Sequence, residues 1–327
     1  MTFKRYESYR ICVQREFAFA LVLYRFAHPR SYCTMEKKWG MNRKNMACII
    51  NQFSTMLISK FKYGLEFDSR QFSRENCAKF SEAIYEQCGV YKNIIGFIDR
   101  TMQKVCCRTN NDEQKHTGNG WKLYSEQHVH CIKYQAIGTP DGITSTLVGP
   151  FIGSAHDAKV FDDTNTLDRL ILHLGQLGPL TPQVNYRIYG DLEYKKCKHV
   201  FRPYKEHEIR IHANGKYVNT EMAKVRVQVE IEFGKVSQYF KLCKSSYIMK
   251  FKGNTNPALV YILCTLFKNF HTCLNGSATK PIFGLTPPTI EEYISGLMRE
   301  RQKHDTIDNV DTILNNASNL VQNKPIK

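Results

Sequence analysis

Acidic residues are in deficit in this 327-residue chain: Asp plus Glu number 30 against 46 Lys plus Arg, leaving a formal net charge of +16. An imbalance of that size disfavours a cationic partner and favours a polyanion, either nucleic acid or an acidic membrane surface. Long apolar runs are missing too. Phe17 to Tyr24 and Ala258 to Phe267 are the two richest stretches, and each is about half the length of about 20 residues that a bilayer demands. Both are therefore expected to be buried helices. No C-x-x-C pair occurs among the twelve cysteines; Cys106 and Cys107 are adjacent and the others are scattered. That pattern argues against a disulfide scaffold and for reduced thiols in a nuclear or cytosolic setting. The opening residues, MTFKRYESYR, are polar and basic, with no signal-peptide core close behind. Internal repeats and low-complexity tracts are also lacking.

What is present reads as a globular chain. Hydrophobic residues at 42% and charged residues at 23% exclude a disordered or fibrous composition. Three parts are expected: a helical N-terminal region over 1–92, a mixed α/β domain over 93–285, and a short helix with a polar tail over 286–327. In the first part, Thr34 is expected to cap one helix. Gly40 breaks the chain, and Asn42 caps a second helix through Met46, Ile49, Ile50 and Phe53. This is the outline of a helix-turn-helix, though plain helical hairpins share it.

From Tyr91 the pattern changes to short apolar runs. "NIIGFID" and "NYRIYGD" both end in an acid, at Asp99 and Asp191. "HVHCIKYQAIG", the turn "TPDG" and "ITSTLVGPF" read as a hairpin, and 164–180 reads as an amphipathic helix ended by Gly and Pro. A carboxylate at the end of a buried strand is rigidly held at a sheet edge. Together with Glu230 of "KVRVQVEIEFGKV", Asp99 and Asp191 make three acids able to serve hard divalent cations, which take oxygen ligands. Two such cations about 3.5–4 Å apart can activate water and steady the leaving oxygen of a phosphodiester. Taken singly, each acid is more often a turn or cap residue. The cluster His128, His130, Cys131 fits no closed zinc set and is read as strand.

The ordered motifs resemble the PIF/Harbinger-type transposases, DDE superfamily endonucleases that include transposase-derived nucleases. They are "RFAHPR" (25–30), "GFIDRT" (96–101), "VHCIKYQAIGTPDG" (129–142), "GPFIGSAHDAKVF" (149–161), "YGDLEY" (189–194), "NTEMAKVRVQVEIEFGKV" (219–236) and "FGLTPPTIEEY" (283–293). The resemblance implies an α/β, RNase H-like mixed sheet flanked by helices and preceded by an all-helical N-terminal region. It implies a metal-dependent DNA endonuclease or transposase with Asp99, Asp191 and Glu230 as catalytic and metal-binding residues, using Mg²⁺ or Mn²⁺. His156 and Asp157 match the family's His-Asp pair as accessory residues. DNA, a Myb-like partner protein and a second copy of the chain are the implied partners, with no membrane, and the nucleus the implied location. The chain departs from the family at Arg100, where Gly is usual after the first acid. It departs again at "YSEQHVH" (124–130), where Glu126 and Gln127 replace a basic segment. Those departures motivate the alternative of a domesticated, catalytically weak or inactive DNA-binding or adaptor protein.

One local pattern competes with the family reading. Val225, Val227, Val229, Ile231 and Phe233 alternate as in a strand. A helix is expected here nonetheless, because Met222, Ala223, Lys224 and Gln228 support it. In a helix Glu230 and Glu232 stand about 200° apart, so only one could face a metal. Basic residues outnumber acids by 14 to 5 between Lys195 and Lys252, which places cations around Glu230 for a phosphate backbone. The aromatics among them (Tyr194, Phe201, Tyr204, Tyr217, Phe233, Tyr239, Phe240) are expected mostly in the core rather than stacking on bases.

Overall fold

The computed structural model describes residues 1–6, 9–105, 131–152, 165–178, 185–244 and 256–305. The chain opens with an addition to the expected helices, a two-stranded antiparallel hairpin of β1 (Thr2–Tyr6) and β2 (Tyr9–Cys12). Phe3 and Ile11 anchor it by burying their side chains in the main core, where Phe3 meets Phe53 at 6.5 Å between ring centroids. Four helices follow: α1 (Arg15–Ala27), α2 (Tyr32–Trp39), α3 (Arg43–Glu66) and α4 (Arg74–Cys88).

Helices α2 and α3 follow one another through Gly40, left-handed at φ 61°. Asn42 caps α3 as expected, its side-chain oxygen accepting from the Lys44 N–H at 2.9 Å. The cap of α2 is Ser31, not Thr34: Ser31 Oγ accepts from the Thr34 N–H. The helix begins one turn earlier than the sequence suggested, because the Ser31 hydroxyl takes the capping position and Thr34 falls inside the first turn.

The sheet has five strands in the order β5-β4-β3-β6-β7. They are β3 (Ile94–Lys104), β4 (Cys131–Gly138), β5 (Thr144–Ile152), β6 (Arg187–Tyr189) and β7 (Val200–Phe201). β3, β4 and β5 are antiparallel neighbours, whereas β6 and β7 run parallel to β3. The turn between β4 and β5 is the expected Thr139–Gly142 segment. Asp141 ties it down by accepting from Thr139 Oγ1 at 2.6 Å and from the Ile143 N–H at 3.2 Å. Helix α5 (Asn165–Leu177) covers one face of the sheet through Leu170 and Leu174, which pack with Ile98. Helix α6 (Glu206–Ile211) leads to the long α7 (Gly215–Tyr239), whose Val225 and Val229 pack with Phe97 on the other face.

After α7 come a short 3-10 turn (Lys241–Lys244), α8 (Pro257–Asn275), α9 (Lys280–Phe283) and α10 (290–305). The two apolar runs are indeed buried helices, α1 and α8. They share one hydrophobic core with α3, β4 and β5. Among the described residues no helix is long and apolar enough to cross a membrane, and the described cysteines form no disulfide. Mixed sheet, strand order and flanking helices together give the RNase H-like architecture that the resemblance implied.

Candidate active site

Strand β3 alternates its side chains between the two faces. Phe97 packs with α7, and Thr101 Oγ1 lies 2.7 Å from the Tyr261 hydroxyl of α8. Asp99, between them in the same phase, therefore faces α7 and α8. Ile98 and Arg100 belong to the opposite face. Asp191 follows β6 directly. Because Tyr189 pairs in parallel with Phe97, continuing the two strands brings Asp191 level with Asp99 on the neighbouring strand.

Glycines set these approaches. At Gly190 a Cβ would sit 2.5 Å from Tyr194 Cδ2 and 2.9 Å from Ile98 Cγ2, so only Gly lets the chain fold over Tyr194 at this corner. On β4, a Cβ at Gly138 would lie 2.6 Å from Val229 Cγ1 and 3.1 Å from Phe233 Cζ. Gly138 is thus the groove into which α7 settles, and Val229 and Phe233 are the side chains that fill it. The same pair brackets Glu230 in the 219–236 segment, so the residues that seat the helix also bring Glu230 over the sheet.

The helical register separates the two glutamates as expected. Glu232 is buried, accepts from the Ala278 N–H at 3.0 Å and lies 3.8 Å from the fully buried Lys268 ammonium. Glu230 lies on another side of the helix, where it pairs with Arg226. The alternation that imitates a strand arises because Val227 and Ile231 are 48% and 47% exposed on the outer face of a real helix.

Electrostatics link the three acids. Burial pushes the Glu230 carboxyl above the ordinary carboxylate range; repulsion from Asp99 and Asp191 adds to this, against the pull of Arg226. Burial likewise raises Asp99. A backbone hydrogen bond from Arg100 and the Arg226 and Arg100 charges oppose that rise, and Asp191 adds to it. Two arginines answer the negative charge. Arg226 Nε is 2.7 Å from Glu230 Oε1, yet no hydrogen bond satisfies that buried oxygen. Arg100 Nη2 is 3.5 Å from Asp191 Oδ2 and 2.9 Å from Glu193 Oε2. Asp191 Oδ1 also accepts from the Glu193 N–H at 2.9 Å. Below this corner Tyr194 is buried, and Gln135 donates to its hydroxyl at 3.3 Å.

The donor chemistry fits a hard divalent cation: three carboxylates, two of them destabilised in their charged form, and one buried carboxylate oxygen lacking a hydrogen bond. The arrangement is not a finished ligand set, since among the described residues no three His, Cys, Asp or Glu side chains close up into a group that could hold a metal. His156 and Asp157 lie outside the described residues, as do His128, His130, Cys106, Cys107 and the 124–130 segment.

The i, i+4 spacing of Arg226 and Glu230 on a helix was the sequence signal for their pairing. Arg100 carries no comparable signal. Nothing local could reveal its pairing with Asp191, 91 residues away. Most of the aromatics are core, with Tyr194, Phe201, Phe233 and Phe240 all buried; Tyr217, 61% exposed, is the exception.

An RNase H-like sheet carries Asp99 on β3, Asp191 beyond β6 and Glu230 on the helix packed against it. The family profile described as DDE superfamily endonuclease matches residues 104–268, half of the chain. This chain belongs to that family, and its general character is that of a transposase-like nuclease. The match contains Asp191 and Glu230 and begins five residues after Asp99. No curated protein and no solved structure matches the chain.

Proposed function

We propose that this protein is a metal-dependent DNA endonuclease or transposase of the PIF/Harbinger type, with Asp99, Asp191 and Glu230 as its metal-binding acids. The observation that carries the reading is the placement of the three acids: Asp99 on β3 in phase with Phe97, Asp191 level with it beyond β6, and Glu230 on the turn of α7 seated at Gly138. Acids separated by 92 and 39 positions in the chain that repel one another in a partly buried cleft mark a functional-site candidate. When bound, Mg²⁺ or Mn²⁺ would activate a water and stabilise charge on the phosphodiester oxygens. The protein's share is to hold the carboxylates. β3 fixes Asp99, the Gly190 corner fixes Asp191, and the Val229–Phe233 contact with Gly138 fixes Glu230. Arg226 orients the Glu230 carboxylate and supplies positive charge beside it. The basic stretch from Lys195 to Lys252 supplies cations for the backbone of DNA.

The same reading gives the chain a nuclear location, a Myb-like partner protein and a homo-oligomeric working state. It also makes α2 and α3 a candidate DNA contact and His156 and Asp157 accessory groups. A plasmid-nicking and strand-transfer assay with Mg²⁺ or Mn²⁺ tests it. Cleavage by the wild-type chain and none by Asp99→Ala is expected; cleavage that survives Asp99→Ala removes the acids from the reaction.

A second reading, a domesticated DNA-binding or adaptor protein, is favoured by one observation: Arg100 already engages Asp191. It predicts salt-dependent DNA binding without cleavage at any metal concentration.

A further inference from the structure

Arg100 departs from the family's usual glycine, and its position gives the departure a consequence. It follows Asp99 on β3, so its side chain leaves the sheet on the face opposite Asp99. That is the face of Ile98, Gln135 and Tyr194. From there its guanidinium reaches Asp191 Oδ2 at 3.5 Å and Glu193 Oε2 at 2.9 Å. The side chain is only 15% exposed and Asp191 24%, so water screens the pair incompletely. Asp191 is also held by the Glu193 N–H at 2.9 Å. Lys133 of β4 lies close enough for Arg100 to repel its ammonium and Glu193 to attract it, so the contact belongs to a charge web on this face. The second acid is therefore held by a cation that approaches from the wrong side of the sheet for Asp99 and Glu230.

We infer that Arg100 is an internal counter-cation and latch: it occupies Asp191, keeps it from joining Asp99 and Glu230, and must release it before a divalent cation can be held by all three. The inference rests on the metal-site reading above. A tethered guanidinium and a divalent cation compete for one carboxylate, so metal binding includes the free energy of breaking the Arg100–Asp191 pair. The latch explains how a complete set of acids coexists with the absence of a closed ligand group among the described residues.

The test is Mn²⁺ binding by the full chain without DNA, read as free Mn²⁺ by electron paramagnetic resonance. Arg100→Gln is expected to bind about 2- to 5-fold more tightly than wild type, the range set by a partly exposed ion pair. Arg100→Lys, which keeps the charge, should stay near wild type, and Asp191→Asn should lose tight binding in either background. The Mn²⁺-dependent rise in melting temperature should be larger for Arg100→Gln than for wild type, as linkage requires. If Arg100→Gln binds no more tightly than wild type while Asp191→Asn abolishes binding, the latch is wrong and the metal site stands. Equal tightening by Arg100→Lys also overturns the latch. If neither wild type nor Arg100→Gln binds Mn²⁺ at millimolar concentration, the metal-site reading fails and the latch with it.

Discussion

The seating of α7 on Gly138 yields the sharpest test of how Glu230 is positioned. In Gly138→Ala the new methyl would lie 2.6 Å from Val229 Cγ1 and 3.1 and 3.4 Å from the Phe233 ring. Val229 is fully buried, and a β-branched side chain in a helix has essentially one rotamer, so it cannot swing aside. The helix itself must lift. Overpacking of this kind costs about 1–3 kcal/mol, and removing a strand glycine returns about 0.5–1 kcal/mol, which leaves a net loss of up to about 2.5 kcal/mol. Val229→Ala alone should lose about 2 kcal/mol through the cavity it opens. In the double variant the alanine methyl fills the space that Val229 vacated, so the two losses should fall short of their sum by about 1 kcal/mol or more. Urea unfolding of the four proteins measures the cycle. Mn²⁺ affinity, measured where all four are folded, should weaken in Gly138→Ala and recover in the double variant. Additive stability losses, or unchanged metal affinity in Gly138→Ala, would refute the claim that this contact places Glu230.

The two neighbouring glutamates should part company. Glu230→Gln is expected to abolish Mn²⁺ binding with little loss of stability, whereas Glu232→Gln, at a buried carboxylate beside Lys268, should lower the urea midpoint and leave metal binding in place. Lys268→Met removes the cation beside buried Glu232 and the donor to the Gly142 carbonyl at 2.9 Å. It should cost about 3–5 kcal/mol, the usual result of orphaning a buried charge, and Lys268→Met with Glu232→Gln should cost less. The pH dependence follows from the direction of the carboxyl shifts. Asp99 and Glu230 are raised from ordinary values of 3.8 and 4.5, so the folded state binds more protons than the unfolded one just above those values. Their contribution is fully present below the unfolded pKa and is lost as pH rises through the folded one. The metal-free protein should therefore lose stability across that window relative to the Asp99→Asn, Glu230→Gln double variant. A flat difference profile would show that the acids are not desolvated.

Much of this architecture was legible because the physics that formed it is local. Apolar runs ending in Asp marked β6 and the first half of β3, although β3 continues past Asp99 to Lys104 because Arg100 to Lys104 pair with β4, so Asp99 sits mid-strand rather than at a strand end; the "TPDG" turn marked the β4–β5 hairpin, and Asn42 marked the start of α3. The 225–233 segment shows why pattern alone can mislead. Two exposed residues, Val227 and Ile231, completed a false alternation, and the helix was expected only because of its other residues and the family pattern. The β1–β2 hairpin gave no such signal, since its anchors Phe3 and Ile11 count only once α3 and the rest of the core are in place. Long-range geometry was the least legible. The Arg100–Asp191 pair and the fit of Val229 into Gly138 depend on which elements become neighbours, and no spacing in the chain encodes that.

The central claim is that Asp99, Asp191 and Glu230 share one cation site. Ferrous iron with peroxide and ascorbate, which cuts a polypeptide beside the bound metal, examines it most directly in the intact chain. The account predicts backbone scission near all three residues, suppressed together by excess Mg²⁺ and lost together in Asp99→Asn. Scission at only one of the three positions, or at three positions that Mg²⁺ and Asp99→Asn affect separately, would contradict it.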